Sequence, residues 1–162
     1  MNEISALAKI SPMADIERSV RGNKVSIADN VIIDSFVKIK FAGGDGDIVI
    51  AANVYLNSGV VIYSGNGVYL GEGTLVAANT TFAATNHEYR ARDKTVIEQR
   101  FMPSKGGIHV ADDCWIGANC VLLDGTVLGQ GCVVAAGTVL KGKWPEYAVI
   151  AGNPARIVRF RT

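Results

Sequence analysis

Apolar residues recur six positions apart along this chain, and no other feature narrows its fold as much. Val110, Ile116, Leu122, Leu128, Val134 and Leu140 form an unbroken run. The same step returns upstream as Ile27, Ile33 and Ile39, then Ile50, Leu56 and Ile62, then Leu70, Val76 and Phe82, so all fifteen positions are apolar. Four residues after each of these leaders stands a small or β-branched residue in eleven of the fifteen hexads: Val31, Val37, Val54, Val60, Thr74, Thr80, Cys114, Cys120, Thr126, Cys132 and Thr138. The exceptions, Gly43, Asn66, Asn86 and Trp144, each follow the third hexad of a group of three, where the chain is read as leaving the repeat.

A period of six is neither the 3.6 of a helix nor the 2 of a plain strand, so the unit is a short strand plus a turn. Three units make a coil of eighteen residues, stacking parallel strands about 4.8 Å apart with the leaders pointing into the bore of a triangular prism. Five coils are expected, beginning at Ile27, Ile50, Leu70, Val110 and Leu128. The extra residues between coils all follow the third hexad, so every insertion leaves from one corner. The Gly or Ala directly after the leader in nine of the fifteen hexads is read as suiting tight corners.

Composition bounds the rest. A chain of 162 residues, 49% hydrophobic, supports one domain. A formal net charge of +1 offers no field to draw it onto nucleic acid or anionic lipid. No apolar run reaches the length of about 18 residues needed to cross a bilayer. Three cysteines without metal-ligand spacing indicate neither a disulfide framework nor a zinc site, and a cytoplasmic location is expected.

Four stretches carry a resemblance to a known family: Val54-Tyr55-Leu56-Asn57; Thr85-Asn86-His87-Glu88-Tyr89-Arg90; the run from Val110 to Asn119 through Cys114-Trp115-Ile116-Gly117-Ala118; and Pro145 to Arg156, which reads PEYAVIAGNPAR. With the hexads, they make the chain resemble the hexapeptide-repeat acyltransferases, in particular sugar O-acetyltransferases of the galactoside, maltose and polysaccharide-biosynthesis type. The resemblance implies a left-handed parallel β-helix, a hand that spacing alone does not give because right-handed crossovers are the general rule. The expected organisation is an N-terminal cap over residues 1–24, showing no hexad register, a solenoid over 25–144 with an inserted loop at 83–107, and a closing tail over 145–162.

The insertion at 83–107 exceeds any ordinary corner, and such loops on a rigid scaffold carry function. It holds His87 just where the chain leaves the coil. Imidazole titrates near neutrality and can take a proton from an attacking hydroxyl or amine, and the resemblance implies that His87 is the catalytic base. Glu88, Asp93 or Glu98 could orient the ring. The resemblance further implies that Asn57, thirty residues upstream, contacts the acetyl group or acceptor. An amide satisfying a corner carbonyl is the alternative for that side chain.

Ala118 and Ala136 match positions where the family's coenzyme A approaches the backbone. Trp115 lies outside the apolar register, either between subunits or beside the pantetheine arm. From residue 141 onward Lys141, Lys143, Arg156, Arg159 and Arg161 face Glu146 alone, a local charge of +4. Such a patch fits coenzyme A phosphates, with Arg156 and Arg159 at family-matched positions and Lys141 and Gly142 nearby. The three cysteines share one phase of the hexad and read as core. His109 reads as outward-facing.

The function implied is direct acetyl transfer from acetyl-CoA to a sugar hydroxyl or amine in polysaccharide or glycan synthesis, by a homotrimer and without a metal. The alternatives are a xenobiotic acetyltransferase and a trimeric scaffold without catalysis. A zinc-dependent lyase of the same fold needs three histidines, and this chain has two.

Overall fold

A computed structural model describes residues 2–162. Its strands are two to five residues long and form three sheets of seven, eight and six strands. Sheet 1 opens each coil, sheet 2 continues it and sheet 3 completes it. One coil is thus Val68–Leu70, Leu75–Val76 and Thr81–Ala83, and the next is Ile108–Val110, Trp115–Ile116 and Val121–Leu123. Neighbouring coils pair in parallel and in register, so that Leu56, Val76, Ile116, Val134 and Ile150 stack in one column.

The fifteen leaders fill the bore, none more than 3% exposed. All eleven residues four positions later are buried with them. Where Thr or Cys replaces Val in that slot, the side chain donates to a corner carbonyl of the next coil, except Thr138, which donates to Ala135 O of its own coil. Thr80 Oγ1 lies 2.8 Å from Gly117 O, Cys120 Sγ 3.2 Å from Ala135 O and Cys132 Sγ 3.1 Å from Pro145 O. A buried carbonyl is thereby satisfied at no cost in packing volume.

The corners correct the reading of the small residue after each leader. Positive φ falls at the third position after the leader instead, where Asn30, Asn53, Asn79 and Asn119 alternate with Gly59, Gly73, Gly131 and Gly137, all between 56° and 74°. The residue directly after the leader is small because the next coil's backbone crosses over it. A Cβ on Gly71 or Gly117 would stand 2.5 Å from Ala111 C or 2.6 Å from Ala136 N.

Both ends extend the repeat beyond the expected five coils. Ile4, Ile10 and Ile16 continue the six-residue step. Their strands Glu3–Ile4, Lys9–Ile10 and Asp15–Ile16 form a complete coil paired with the next. The expectation that this segment lacks hexad register is therefore corrected. Three leaders among charged neighbours do not stand out in the sequence, and in this end coil, packed from one side only, Ile4 remains 46% exposed.

At the other end Trp144 does not leave the repeat. It pairs with Leu128 in sheet 1 after a step shortened by two residues, and Ala148–Ala151 adds a further parallel strand to sheet 2. Six complete coils and two strands of a seventh result. Arg156–Phe160 then folds back antiparallel on Ala148–Ala151. Among the described residues no helix is long and apolar enough to cross a membrane.

The crossings from sheet 3 to sheet 1 all lie at one corner and stack through glycines. A Cβ on Gly44 would meet Gly65 O at 2.2 Å, one on Gly65 would meet Ala84 O at 2.3 Å, and one on Gly107 would meet Gly67 O at 2.4 Å. The long loop rises from this glycine-lined column.

Candidate active site

The 83–107 segment is a hairpin at its root. Met102 N donates to Asn86 O at 2.8 Å and Glu88 N to Arg100 O at 3.0 Å, with His87 and Phe101 bridged antiparallel between them. Farther out, the Gln99 amide closes the loop, accepting from Ala91 N and donating to Ala91 O, both at 2.9 Å. Thr95 and Glu98 form a capping box on the helical turn Val96–Gln99.

The returning strand is anchored by Asp124, which sequence reasoning missed. This buried carboxylate accepts from Lys105 N at 2.9 Å, Gly107 N at 2.9 Å and Asn66 Nδ2 at 3.0 Å. It ties the loop to two coils. Its offset from the leader Leu122 does not single it out, since Asp29, Glu72 and Asp112 also stand two places after a leader.

His87 is exposed, with Nδ1 3.1 Å from Arg100 O. A carbonyl can only accept, so Nδ1 carries the hydrogen and Nε2 keeps a lone pair. The Phe101 ring packs on the imidazole, centroids 4.6 Å apart and planes tilted by 37°. The carboxylates considered as orienting partners are occupied elsewhere or unpaired with the ring. Arg90 grips Glu88 and holds its carboxyl down at about 2, while the Thr95 hydroxyl and backbone lower that of Glu98. The ring is oriented by a backbone carbonyl.

Arg100 delivers that carbonyl from an unusual conformation, φ 64° and ψ −136°, at the end of the helical turn. This region is essentially reserved for glycine and costs about 1–3 kcal/mol.

Asn57 stands half-buried at the corner between sheets 2 and 3, its Nδ2 donating to Val76 O at 2.9 Å. Its Oδ1 is left to accept or to face a ligand. His87 follows the strand Thr81–Ala83 of the next coil, at the opposite corner of sheet 3, where it meets sheet 1. One chain therefore does not bring the two together.

Ala118 and Ala136 lie on the Asn57 edge, stacked on successive coils, with Gly137 N donating to Ala118 O at 2.8 Å. The edge continues into residues 152–156, where Gly152 N donates to Thr138 Oγ1 at 3.1 Å. There Lys141 and Arg156 line a pocket of ≈ 350 Å³ together with Trp144, Asn153 and Pro154. Trp144 Nε1 is buried beside it with no hydrogen-bond partner, a donor the sequence did not single out.

Arg159 and Trp115 fall elsewhere. They line a separate hollow of ≈ 290 Å³ on the outer face of sheet 2 with Val133, Val149 and Phe160. The residues read as one cofactor set thus divide into two groups. Gly142 sits next to Lys141 with φ 76° and open space around it.

Trp115 is 52% exposed and continues an outward column of Ile32, Tyr55, Leu75, Val133 and Val149 across six coils. Cys114, Cys120 and Cys132 are all buried in the bore, and the Cys114 thiol donates to Gly129 O. His109 stacks on Tyr69 on the outside of sheet 1, as read. Among the described residues no group of three His, Cys, Asp or Glu side chains is arranged to hold a metal.

Comparison with known proteins bears on this architecture. Residues 107–142 match the model of the bacterial transferase hexapeptide, six repeats. A 57-residue stretch, 35% of the chain, is 46% identical to 2,3,4,5-tetrahydropyridine-2,6-dicarboxylate N-acetyltransferase of Brevibacillus brevis. A 45-residue stretch, 28% of the chain, is 40% identical to the putative lipopolysaccharide biosynthesis O-acetyl transferase WbbJ of Escherichia coli. These matches span only 24% and 23% of the two relatives' lengths. The whole chain superposes on AntD, an N-acyltransferase from Bacillus cereus solved with dTDP and 3-hydroxybutyryl-CoA, with a TM-score of 0.78 over 82% of that chain at 19% identity. The fold they share is the left-handed parallel β-helix.

Proposed function

We propose that this hexapeptide-repeat β-helix is an acyltransferase that moves acetyl directly from acetyl-CoA to a hydroxyl or amine of a sugar, with His87 as general base. The observation that carries the reading is the imidazole held by Arg100 O through Nδ1, which leaves Nε2 free at the root of a long loop. His87 Nε2 takes the proton as the acceptor oxygen or nitrogen attacks the thioester carbonyl. Backbone N–H groups receive the charge on the carbonyl oxygen, together with the second hydrogen of the Asn57 amide nitrogen, whose first is held by Val76 O. Collapse expels the thiolate, which recovers the proton from His87, and no acyl-enzyme forms.

The donor would lie along the edge carrying Ala118 and Ala136, where small side chains let the pantetheine amides reach the backbone. Its phosphates would meet Lys141 and Arg156 in the pocket beside Trp144. Gly142, beside Lys141, would serve the outer part of the same molecule, whereas Arg159 lies with Trp115 on the face that the trimer would cover.

A homotrimer completes the site. It would bring the Asn57 edge of one chain to the His87 loop of the next and cover the apolar column around Trp115. The N-acetyltransferase and O-acetyl transferase names among its relatives support acetyl transfer to nitrogen or oxygen, and the lipopolysaccharide biosynthesis name supports a hydroxyl of a polysaccharide building block as acceptor. The test is thiol release from acetyl-CoA with a panel of free sugars, amino sugars and nucleotide-linked sugars. Acceptor-dependent release supports the reading. Equal release with every acceptor, at the rate of spontaneous hydrolysis, contradicts it.

A further inference from the structure

The resting place of the His87 ring is not built by its own loop alone. Gly43 lies on the crossing that joins the second and third coils, forty-four residues before His87, with φ 78°. A Cβ at that position would stand 2.9 Å from Phe101 Cε1 and 2.7 Å from Thr85 Cγ2. Real Cβ atoms essentially never approach so closely, so both side chains rest directly on a bare backbone. Thr85 is on the outgoing strand of the hairpin, two residues before His87. Phe101 is on the returning strand, packed at a tilt against the imidazole and adjacent to Arg100.

We propose that Gly43 is a positioning residue for His87: its missing side chain seats Phe101 and Thr85, and through them sets the imidazole against Arg100 O. The catalytic consequence rests on His87 being the base, whereas the effect on the ring does not. A methyl group at residue 43 lifts Phe101 and with it the neighbouring carbonyl. The 3.1 Å contact to Nδ1 is then lost, because hydrogen bonds fail within a few tenths of an ångström and tens of degrees. Freed from the carbonyl, the ring populates the tautomer with hydrogen on Nε2, which cannot accept a proton there.

The experiment uses the full chain with 15N-labelled histidine and long-range proton–nitrogen correlation. The two histidines are assigned by comparison with His109→Gln. Wild type is expected to show His87 as a single Nδ1–H tautomer. Gly43→Ala is expected to give a mixture of tautomers and a roughly tenfold to hundredfold lower kcat with the KM for acetyl-CoA unchanged. Gly73→Ala is the control for backbone strain, since Gly73 has φ 67° and nothing within 4 Å of an added Cβ, and it should leave the signature intact.

Should Gly43→Ala fail to fold, Phe101→Leu, which keeps Gly43 but removes the packed ring, is expected to loosen the same tautomer. A Gly43→Ala effect that persists undiminished in a background carrying both Phe101→Ala and Thr85→Ser, which together remove the two closest contacting atoms, overturns the proposal. So does a folded Gly43→Ala, or a Phe101→Leu, with the wild-type tautomer signature. A wild type that shows the fixed tautomer but transfers no acetyl to any acceptor would count against the function proposed above and leave the positioning intact.

Discussion

His87 Nδ1 stands 3.1 Å from the carbonyl oxygen of Arg100, thirteen residues farther along the same loop, and that single contact decides which imidazole nitrogen is free. A carboxylate in that place would also stabilise the protonated ring. A carbonyl orients it with a partial charge only. Replacing His87 by Ala should therefore lower kcat by about 10²- to 10⁴-fold. The exposed ring contributes little packing, so the melting temperature should stay within about 2 °C of wild type. Steady-state thiol release together with thermal unfolding checks both halves.

Arg100→Gly separates the carbonyl from the side chain that strains it. The backbone cost of about 1–3 kcal/mol disappears, against a glycine entropy penalty of about 0.5–1 kcal/mol. A net gain of about 1 kcal/mol should raise the melting temperature by about 2–4 °C, with His87 still in its Nδ1–H form. A lower melting temperature would show that the Arg100 side chain is worth more than the strain it imposes.

Asp124 links the loop's return to the coils, and its removal orphans three donors at once. Asp124→Ala should cost about 3 kcal/mol in denaturant unfolding. It should also open the bonds to Lys105 and Gly107 to protease before the solenoid unfolds. Asp124→Asn, which retains one acceptor oxygen, should fall between the two.

Glu88 offers a pH test of the loop. Arg90 depresses its folded-state carboxyl to about 2, below its unfolded value near 4.5. The pair's contribution is present above the unfolded value and is lost as pH falls from there towards about 2. Carboxyl NMR should find Glu88 still ionised at pH 3, and Arg90→Ala should return its midpoint towards the ordinary glutamate range. Arg90 is solvent-exposed and Glu88 lies half-buried at the surface, so screening by water keeps the effect on global stability small.

What the sequence shows of this fold follows from what a period can express. The bore is legible because every leader from Ile27 to Leu140 must be apolar to sit inside the prism. Trp144 escaped because a two-residue deletion breaks the step while the strand pairing carries on. The end coil at Ile4, Ile10 and Ile16 escaped because a short run of three leaders among charged neighbours does not stand out. His87 was legible as a lone imidazole at the root of an insertion, but its partner was not, since a carbonyl is present at every residue and only the hairpin selects that of Arg100. Likewise Gly43 meets Phe101 only because the corner crossings stack, a relation between coils that no local motif encodes. The charge cluster after residue 141 was visible, yet its separation into a Lys141–Arg156 pocket and an Arg159–Trp115 hollow depends on the final strand folding back.

The central claim is that this solenoid takes acetyl-CoA as donor, and calorimetric titration of the purified chain with acetyl-CoA tests it most directly. The account predicts saturable binding in the micromolar range at one site per chain, weakened by Lys141→Ala and Arg156→Ala. No heat up to millimolar acetyl-CoA, from a folded and assembled protein, would contradict it.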